Sequence, residues 1–246
     1  MVQAHRIKTI ALVGCTAVGK SDTAIKLAKR FGGSVIGADS MQIYRGFDIG
    51  TGKLKPSERG GIEHSLIDVV DGGEAFSVGE YVTLAAKEIE NAHVGGKLPI
   101  IVGGTGLYVN ALFSGYNFAD SPRNDDVRNA LKISSHFIDC LHDVLALVDG
   151  KSASVISHND VKRTVRALEI YFAGGKPKSD AVAVDKSYDD LSIVLTLPRE
   201  MLYEKINARV RTMFDDGLID EVKGLLQYKD CQAMQAIGYK PVSSTH

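Results

Sequence analysis

The sequence predicts an α/β protein: a parallel sheet with flanking helices, built on a phosphate-binding loop and interrupted by a helical insert. Three observations carry this expectation. Gly14-Cys15-Thr16-Ala17-Val18-Gly19-Lys20-Ser21 fits G-x-x-x-x-G-K-[ST], the phosphate-loop pattern. Short apolar runs alternate with segments of helical periodicity, which indicates a doubly wound parallel sheet. From about residue 120 to about residue 190 that alternation gives way to helical patterns alone. The expected division is therefore a discontinuous core, 1–119 with 190–246, around an insert at 120–189.

Taken in order, Thr9 to Val13 is an apolar, β-branched run that reads as a buried strand. The loop follows it. Its glycines let successive backbone N–H groups turn inward, and with the next helix N-terminus these donors favour an anion. Lys20 adds a point charge and the Ser21 hydroxyl is placed to ligate magnesium. Ser21 to Phe31 reads as a helix with Ala24, Ile25, Leu27, Ala28 and Phe31 near one face. Ser34 to Ile36 is a second strand, delivering Asp39 and Ser40 to its C-terminal end, where open α/β sheets place ligands. Met41 to Lys53 is punctuated by glycine and reads as irregular, and Ser65 to Val70 reads as a third strand.

Ser77 with Glu80 forms a capping box for a helix carrying Val78, Val82, Ala85, Ile89 and Ala92. Leu98 to Val102 is a further buried strand, Gly103-Gly104-Thr105-Gly106 a tight exit from it, and Leu107 to Phe113 a helix. The insert shows helices at Val127 to Ile133 and Phe137 to Val148, and a third with Val161, Val165, Leu168 and Phe172 on one face. A late strand, Leu191 to Leu197, precedes a helix opened by Pro198 and Arg199 and running through Phe214, then another at Leu218 to Gln227.

The composition narrows the function classes. The chain has 246 residues, 44% of them hydrophobic and 24% charged, as in an ordinary globular protein. No apolar run approaches the ~20 residues that span a membrane, and the N-terminus lacks the apolar core of a secretory signal. Three cysteines, Cys15, Cys140 and Cys231, form neither a disulfide framework nor a metal cluster, which suits a reducing cytoplasm. The net charge is −1, so nucleic-acid binding must come from local patches rather than from the global charge.

Four constellations have chemical potential. Asp39, at the strand end beside the phosphate loop, fits a magnesium ligand, a general base, a solvated turn aspartate or a helix cap. Thr105, among three glycines, fits either a ligand hydrogen bond or a tight turn. The strand before it ends in glycine, so the usual metal-binding aspartate of ATP-using loops is missing there, and Asp68 is a weak substitute. Lys162 and Arg166, with Arg163 further round, lie on one flank of a helix and suit phosphate backbone or a solvated face. Arg209 falls near the Leu202, Ile206 and Met213 face, where a lone arginine lines a pocket rather than a core.

These residues together resemble the tRNA dimethylallyltransferase (tRNA isopentenyltransferase) family. Gly14 to Ser21 is similar to its GPTAxGK[ST], with Cys15 in place of the proline. Asp39-Ser40-Met41-Gln42-Ile43-Tyr44-Arg45-Gly46-Phe47-Asp48-Ile49-Gly50-Thr51 is similar to DSMQVYRGxDIGT, and His64 to Asp68 to HHLID. Gly103 to Tyr108 matches GGTGLY, and Asn159 to Arg163 with Arg166 to Glu169 resembles NDxxRxxRALE. Gly217 to Val222 and Ala236 to Lys240 complete the set. Family sequences continue past the position of His246 with a basic stretch.

The resemblance implies a P-loop NTPase-like fold and transfer of the dimethylallyl group from dimethylallyl diphosphate to the N6 amine of the adenosine next to the tRNA anticodon. It implies that Asp39 is the general base and that Thr105 supports donor and target nucleotide. It places the diphosphate on Gly14, Cys15, Thr16, Ala17, Val18, Gly19, Lys20 and Ser21, with Ser21 on Mg2+ and Arg209 on the opposite side. It assigns tRNA contacts to Asp39, Ser40, Met41, Gln42, Thr105, Arg128, Lys162, Arg163, Arg166, Gln235 and Lys240. A cytoplasmic monomer with no membrane partner is expected. The competing readings are adenylate isopentenyltransferase, a small-molecule kinase using ATP, and a binding protein without transfer activity. The basic helix favours tRNA over a free nucleotide, and the missing metal-binding aspartate disfavours the kinase.

Overall fold

The computed structural model describes residues 6–114, 124–133, 138–180 and 188–243. Five strands, β1 (Ile7–Gly14), β2 (Gly33–Gly37), β3 (His64–Ser65), β4 (Leu98–Gly103) and β5 (Tyr188–Leu195), form one parallel sheet in the order β3-β2-β4-β1-β5. The chain divides into two compact units, Met1–Phe113 with Lys186–His246, and Ser114–Asp185. The sequence placed the divisions at 119/120, which lies outside the described residues, and at 189/190, which falls within β5.

The central strands are mostly apolar, with Thr9 and Ser34 buried among them, because both faces of the sheet are covered. Alternation then sends neighbours to opposite layers. Leu12, Val35 and Ile100 meet α1 (Lys20–Phe31) through Ala24 and Ala28. Ala11, Ile36 and Ile101 face the larger cluster with Tyr81, Ala85 and Ile89 of α2 (Val78–Val94) and Tyr108 and Leu112 of α3 (Gly106–Phe113). The rings of Tyr81 and Tyr108 stack at 4.1 Å. Burying each large side chain contributes about 1.5–3 kcal/mol, so this double layer fixes where the strand ends lie. α2 starts where its capping box predicts: the Glu80 amide donates to Ser77 Oγ at 3.2 Å, and the Ser77 amide donates to Glu80 Oε2 at 2.7 Å.

Several elements differ from expectation. The expected strand at Ser65–Val70 is only His64–Ser65. Leu66 and Asp68 turn into the left-handed region, with φ 59° and 60°. The amides of Asp68 and Val69 donate to the carbonyls of Gln42 and Ile43, so this stretch bonds to a loop instead of extending the sheet. β5 begins three residues earlier than expected, pairing along its whole length with β1. The segment after α8 (Arg199–Asp215) is α9 (Leu218–Gly224) and then a separate 3-10 turn, Leu226–Tyr228. Phe31, expected on the packed face of α1, is 54% exposed.

The second unit contains α4 (Asp125–Ile133), α5 (Ile138–Val148), α6 (Gly150–Val155) and α7 (Val161–Gly174). The expected start of α5 at Phe137 lies outside the described residues. Leu141, Leu145, Ile156, Val165 and Leu168 form its core, while Phe172 is exposed, so the apolar stripe of α7 ends a turn early. The short α6 was not legible as a helix. It is held by Asp149, whose Oδ1 accepts from the Ser152 amide and whose Oδ2 accepts from the Ser179 amide, both at 3.0 Å. Burial pushes the Asp149 carboxyl up, but the bonds from Ser152 and Ser179 outweigh it and hold it at about 2, below the ordinary 3.8. The stabilising charge is therefore present above about pH 3.8 and is lost as the pH falls towards 2. Asp149→Asn is expected to remove this part of the acid sensitivity, measured as the slope of unfolding free energy against pH across that window.

Candidate active site

β1 delivers the phosphate loop at the carboxyl edge of the sheet. The loop turns through two left-handed residues, Ala17 (φ 62°) and Gly19 (φ 97°), and hands over to α1 at Lys20. A non-glycine residue in this region stores strain, a common feature of ligand clamps. Lys20 Nζ folds back over the loop and donates to the carbonyls of Gly14 (2.8 Å) and Cys15 (2.6 Å). Its ammonium is half-buried. Desolvation lowers its pKa below 10.5, with Asp39 pulling it up and Arg209 pushing it down. A cation held by neutral carbonyls near a second cation is prepared for an incoming anion.

The ends of β2 and β4 close tightly beside the loop. The Ala38 amide donates to the Val102 carbonyl at 2.8 Å and the Thr105 amide to the Ala38 carbonyl at 3.2 Å. A Cβ on Gly103 would run into the Ala38 carbonyl, which is why that position requires glycine. Asp39 Oδ1 accepts from the amides of Met41 (2.9 Å) and Gln42 (3.4 Å), so the carboxylate caps the turn that follows it. Thr105 Oγ1 accepts from the Ser40 amide at 3.0 Å and donates to Ser40 Oγ at 3.3 Å. Thr105 thus ties the glycine-rich turn to the segment Asp39–Gln42.

Arg209 comes from α8, which buries none of its residues fully. Its guanidinium is largely desolvated, which lowers its pKa, while Asp39 opposes that shift. One terminal nitrogen donates to the carbonyls of Thr51 (3.3 Å) and Gly52 (3.1 Å), and the other to Thr16 Oγ1 in the phosphate loop (3.4 Å). Gln42 Nε2 donates to the same two carbonyls, at 3.2 and 3.4 Å. Lys20, Asp39, Thr105 and Arg209, chosen from four separate stretches of sequence, converge on one edge of the sheet. Ser21 stands in the first turn of α1.

Residues without an assigned role hold this edge together. Lys53, its side chain only 4% exposed, donates to the Tyr44 carbonyl (2.8 Å) and pairs with Asp48 (2.6 Å) and Asp68 (2.5 Å). Glu221 of α9 accepts from the amides of Asp48 (3.2 Å), Ile49 (2.8 Å) and Gly50 (3.0 Å) and from the Tyr239 hydroxyl (2.6 Å). The glycines of Asp48-Ile49-Gly50-Thr51-Gly52 and Ile237-Gly238-Tyr239 were visible in sequence. The partner joining those stretches was not, because it lies some 170 residues from one of them.

In the second unit, Arg128 and Arg166 both turn to Glu169, which is fully buried. Arg128 donates to Oε2 from two nitrogens (3.0 and 2.8 Å), Arg166 pairs with Oε1 (2.9 Å) and the Asn124 amide donates there as well (2.9 Å). Lys162 and Arg163 are exposed, and Arg163 pairs with Asp160 at 3.4 Å. Of the two cations read on one flank, Lys162 is therefore exposed and Arg166 has an internal partner, while Arg163, further round, is exposed as well. In the first unit Gln235 is exposed, and Lys240 opens a short helix, Lys240–Ser243. Among the described residues no group of three His, Cys, Asp or Glu side chains is placed to hold a metal, and no helix is long and apolar enough to cross a membrane.

A model of the IPP transferase family matches residues 42–245, most of the chain. A tRNA dimethylallyltransferase from Halalkalibacterium halodurans is 45% identical over 241 residues, 95% of this chain and 77% of the relative. The chain belongs to the IPP transferase family. A similar protein from Anoxybacillus flavithermus, also a tRNA dimethylallyltransferase, is 48% identical over 238 residues. Two solved family structures resemble the fold. The full-length tRNA isopentenylpyrophosphate transferase from Bacillus halodurans has a TM-score of 0.69 at 43% identity, over 97% of this chain and 77% of that one. A eukaryotic dimethylallyltransferase acting on tRNA has a TM-score of 0.83 at 33% identity, over 95% of this chain and 62% of that one. The IPP transferase match begins at Gln42 and takes in Thr105, Arg209 and Glu221.

Proposed function

We propose that this IPP transferase moves the dimethylallyl group from dimethylallyl diphosphate to the N6 amine of the adenosine 3′-adjacent to the anticodon in tRNA, releasing diphosphate. The observation carrying this reading is that Lys20, folded over the Gly14–Ser21 loop, and Arg209, bonded to Thr16 in it, stand at the sheet edge where the end of β2 presents Asp39. Its identity to proteins named for this transfer supports it.

The donor's diphosphate lies on the amides of Gly14 to Gly19, with Lys20 and Arg209 on either side. Their charges stabilise the diphosphate as the bond between its oxygen and the allylic carbon breaks. The adenine amine forms the new carbon–nitrogen bond, and its proton passes to Asp39. Oδ1 of Asp39 already caps the turn, so Oδ2 is the atom assigned to the proton. An adenine amine is a poor nucleophile, and alignment by Thr105 and Ser40 supplies part of the rate. A base in an anticodon loop leaves its stack at a cost of only a few kcal/mol. Lys162, Arg163, Gln42, Gln235 and Lys240 are assigned to the tRNA.

Magnesium suits this donor set. Ser21 offers a hydroxyl in the first turn of α1, where it would hold an ion that takes most of its other ligands from phosphate and water. Bound there, it neutralises charge on the leaving diphosphate.

Labelled dimethylallyl diphosphate, incubated with magnesium and either unmodified tRNA or AMP, tests the reading. Label in tRNA alone is expected. Label in AMP would move the protein to the free-nucleotide transferases, and label in neither would overturn the transfer. Arg209→Ala is expected to weaken diphosphate affinity about tenfold, as loss of one charge-assisted contact does, measured by calorimetric titration with inorganic diphosphate.

A further inference from the structure

Glu221 is the centre of a clasp that the transfer chemistry does not use directly. The stretch it grips, Asp48–Lys53, is a tight turn closed at Gly52 in the left-handed region (φ 60°): the Gly52 amide donates to the Ile49 carbonyl and the Lys53 amide to the Asp48 carbonyl, both at 2.9 Å. The N-terminal amides of this turn, from Asp48, Ile49 and Gly50, all point at the Glu221 carboxylate. At its other end, the carbonyls of Thr51 and Gly52 accept from Arg209 and Gln42.

Tyr239 locks the arrangement. Its hydroxyl donates to Glu221 Oε1, and a Cβ on Gly50 would meet its ring at 2.6 Å. A Cβ on Gly238 would collide with the Gly50 carbonyl. The turn therefore has little freedom to shift while Glu221 is in place.

We infer that Glu221 is a positioning residue, which fixes the Asp48–Lys53 turn so that the Thr51 and Gly52 carbonyls aim Arg209 at a diphosphate on the phosphate loop. It touches neither substrate. It acts through Arg209, whose other nitrogen reaches Thr16. This rests on the proposed site for the donor, but its test does not require transfer to occur.

The test is a double-mutant cycle read by calorimetric titration of the whole chain with inorganic diphosphate and magnesium. Glu221→Ala is expected to weaken binding about tenfold in the wild-type background and by less than about twofold when Arg209 is already alanine. Glu221→Gln keeps the shape and one acceptor oxygen, so it guards against misfolding of the alanine variant. It is expected to weaken binding about threefold, again only while Arg209 is present. Equal losses in both backgrounds, or no loss in either, would overturn the inference, whatever happens to the melting temperature. Failure of the unaltered protein to bind diphosphate would overturn it together with the donor site. Failure to transfer label while the cycle holds would strike only the transfer reading.

Discussion

Asp39→Asn is expected to lower the transfer rate by roughly 10²–10⁴-fold, the usual contribution of a general base, while diphosphate affinity changes by less than about twofold. The choice of asparagine follows from the geometry. Asp39 does two things: Oδ1 accepts from the Met41 and Gln42 amides, and the carboxylate as a whole offers a site for a proton. Asparagine keeps an acceptor oxygen for both amides and keeps the turn. It removes the basicity together with the negative charge that acts on Lys20 and Arg209. Single-turnover transfer of label to tRNA gives the first quantity and diphosphate titration the second. A variant that loses donor binding as well as turnover would sink the general-base assignment, because the carboxylate would then be acting on the diphosphate side of the site.

Glu169→Ala should produce the largest stability effect. The carboxylate is fully buried and satisfies Arg128, Arg166 and the Asn124 amide at once. Removing it takes away the carboxylate that both guanidiniums bond, a change that costs about 3–5 kcal/mol in buried settings. The arginine side chains are 24% and 33% exposed, so water reaches both, and the lower end, about 3 kcal/mol, is expected. That is a fall of about a hundredfold in amide-exchange protection across α4 and α7. Unchanged protection there would show that the two arginines rehydrate at little cost. The pH response has a defined sign. Burial pushes the Glu169 carboxyl up, but the Asn124 amide, Arg128 and Arg166 hold it below the ordinary 4.5. Its contribution is present above about pH 4.5 and is lost as the pH falls through the depressed value.

Glu169 also shows where helical-wheel reasoning stops. The wheel placed Lys162 and Arg166 on one flank, with Arg163 further round. It carries no information about a carboxylate one turn further along, whose burial turns Arg166 and Arg128 inward. Arg209 is the opposite case. Its position beside an apolar stripe pointed to a pocket, and the structure supplies the reason: loop carbonyls at Thr51 and Gly52 replace the water a guanidinium would otherwise keep. The strand expected at Ser65–Val70 failed because apolar β-branched residues suit a sheet and a packed loop equally well. Only the bonds to Gln42 and Ile43 decide between them.

The sequence by itself determined the glycine-rich loop between β1 and α1, the capping box that starts α2, the central strands and the family. These rest on local rules: glycine spacing, a side chain three residues from its partner, and apolar runs that need no distant information. Only the tertiary structure decided that Asp39 caps the turn at Met41 and Gln42, that Thr105 is tied to Ser40, and that Glu221 holds the turn gripping Arg209. The last two of these depend on groups far apart in the chain, and a side chain's role is set by the partner that replaces its water. That partner is chosen by how the layers pack.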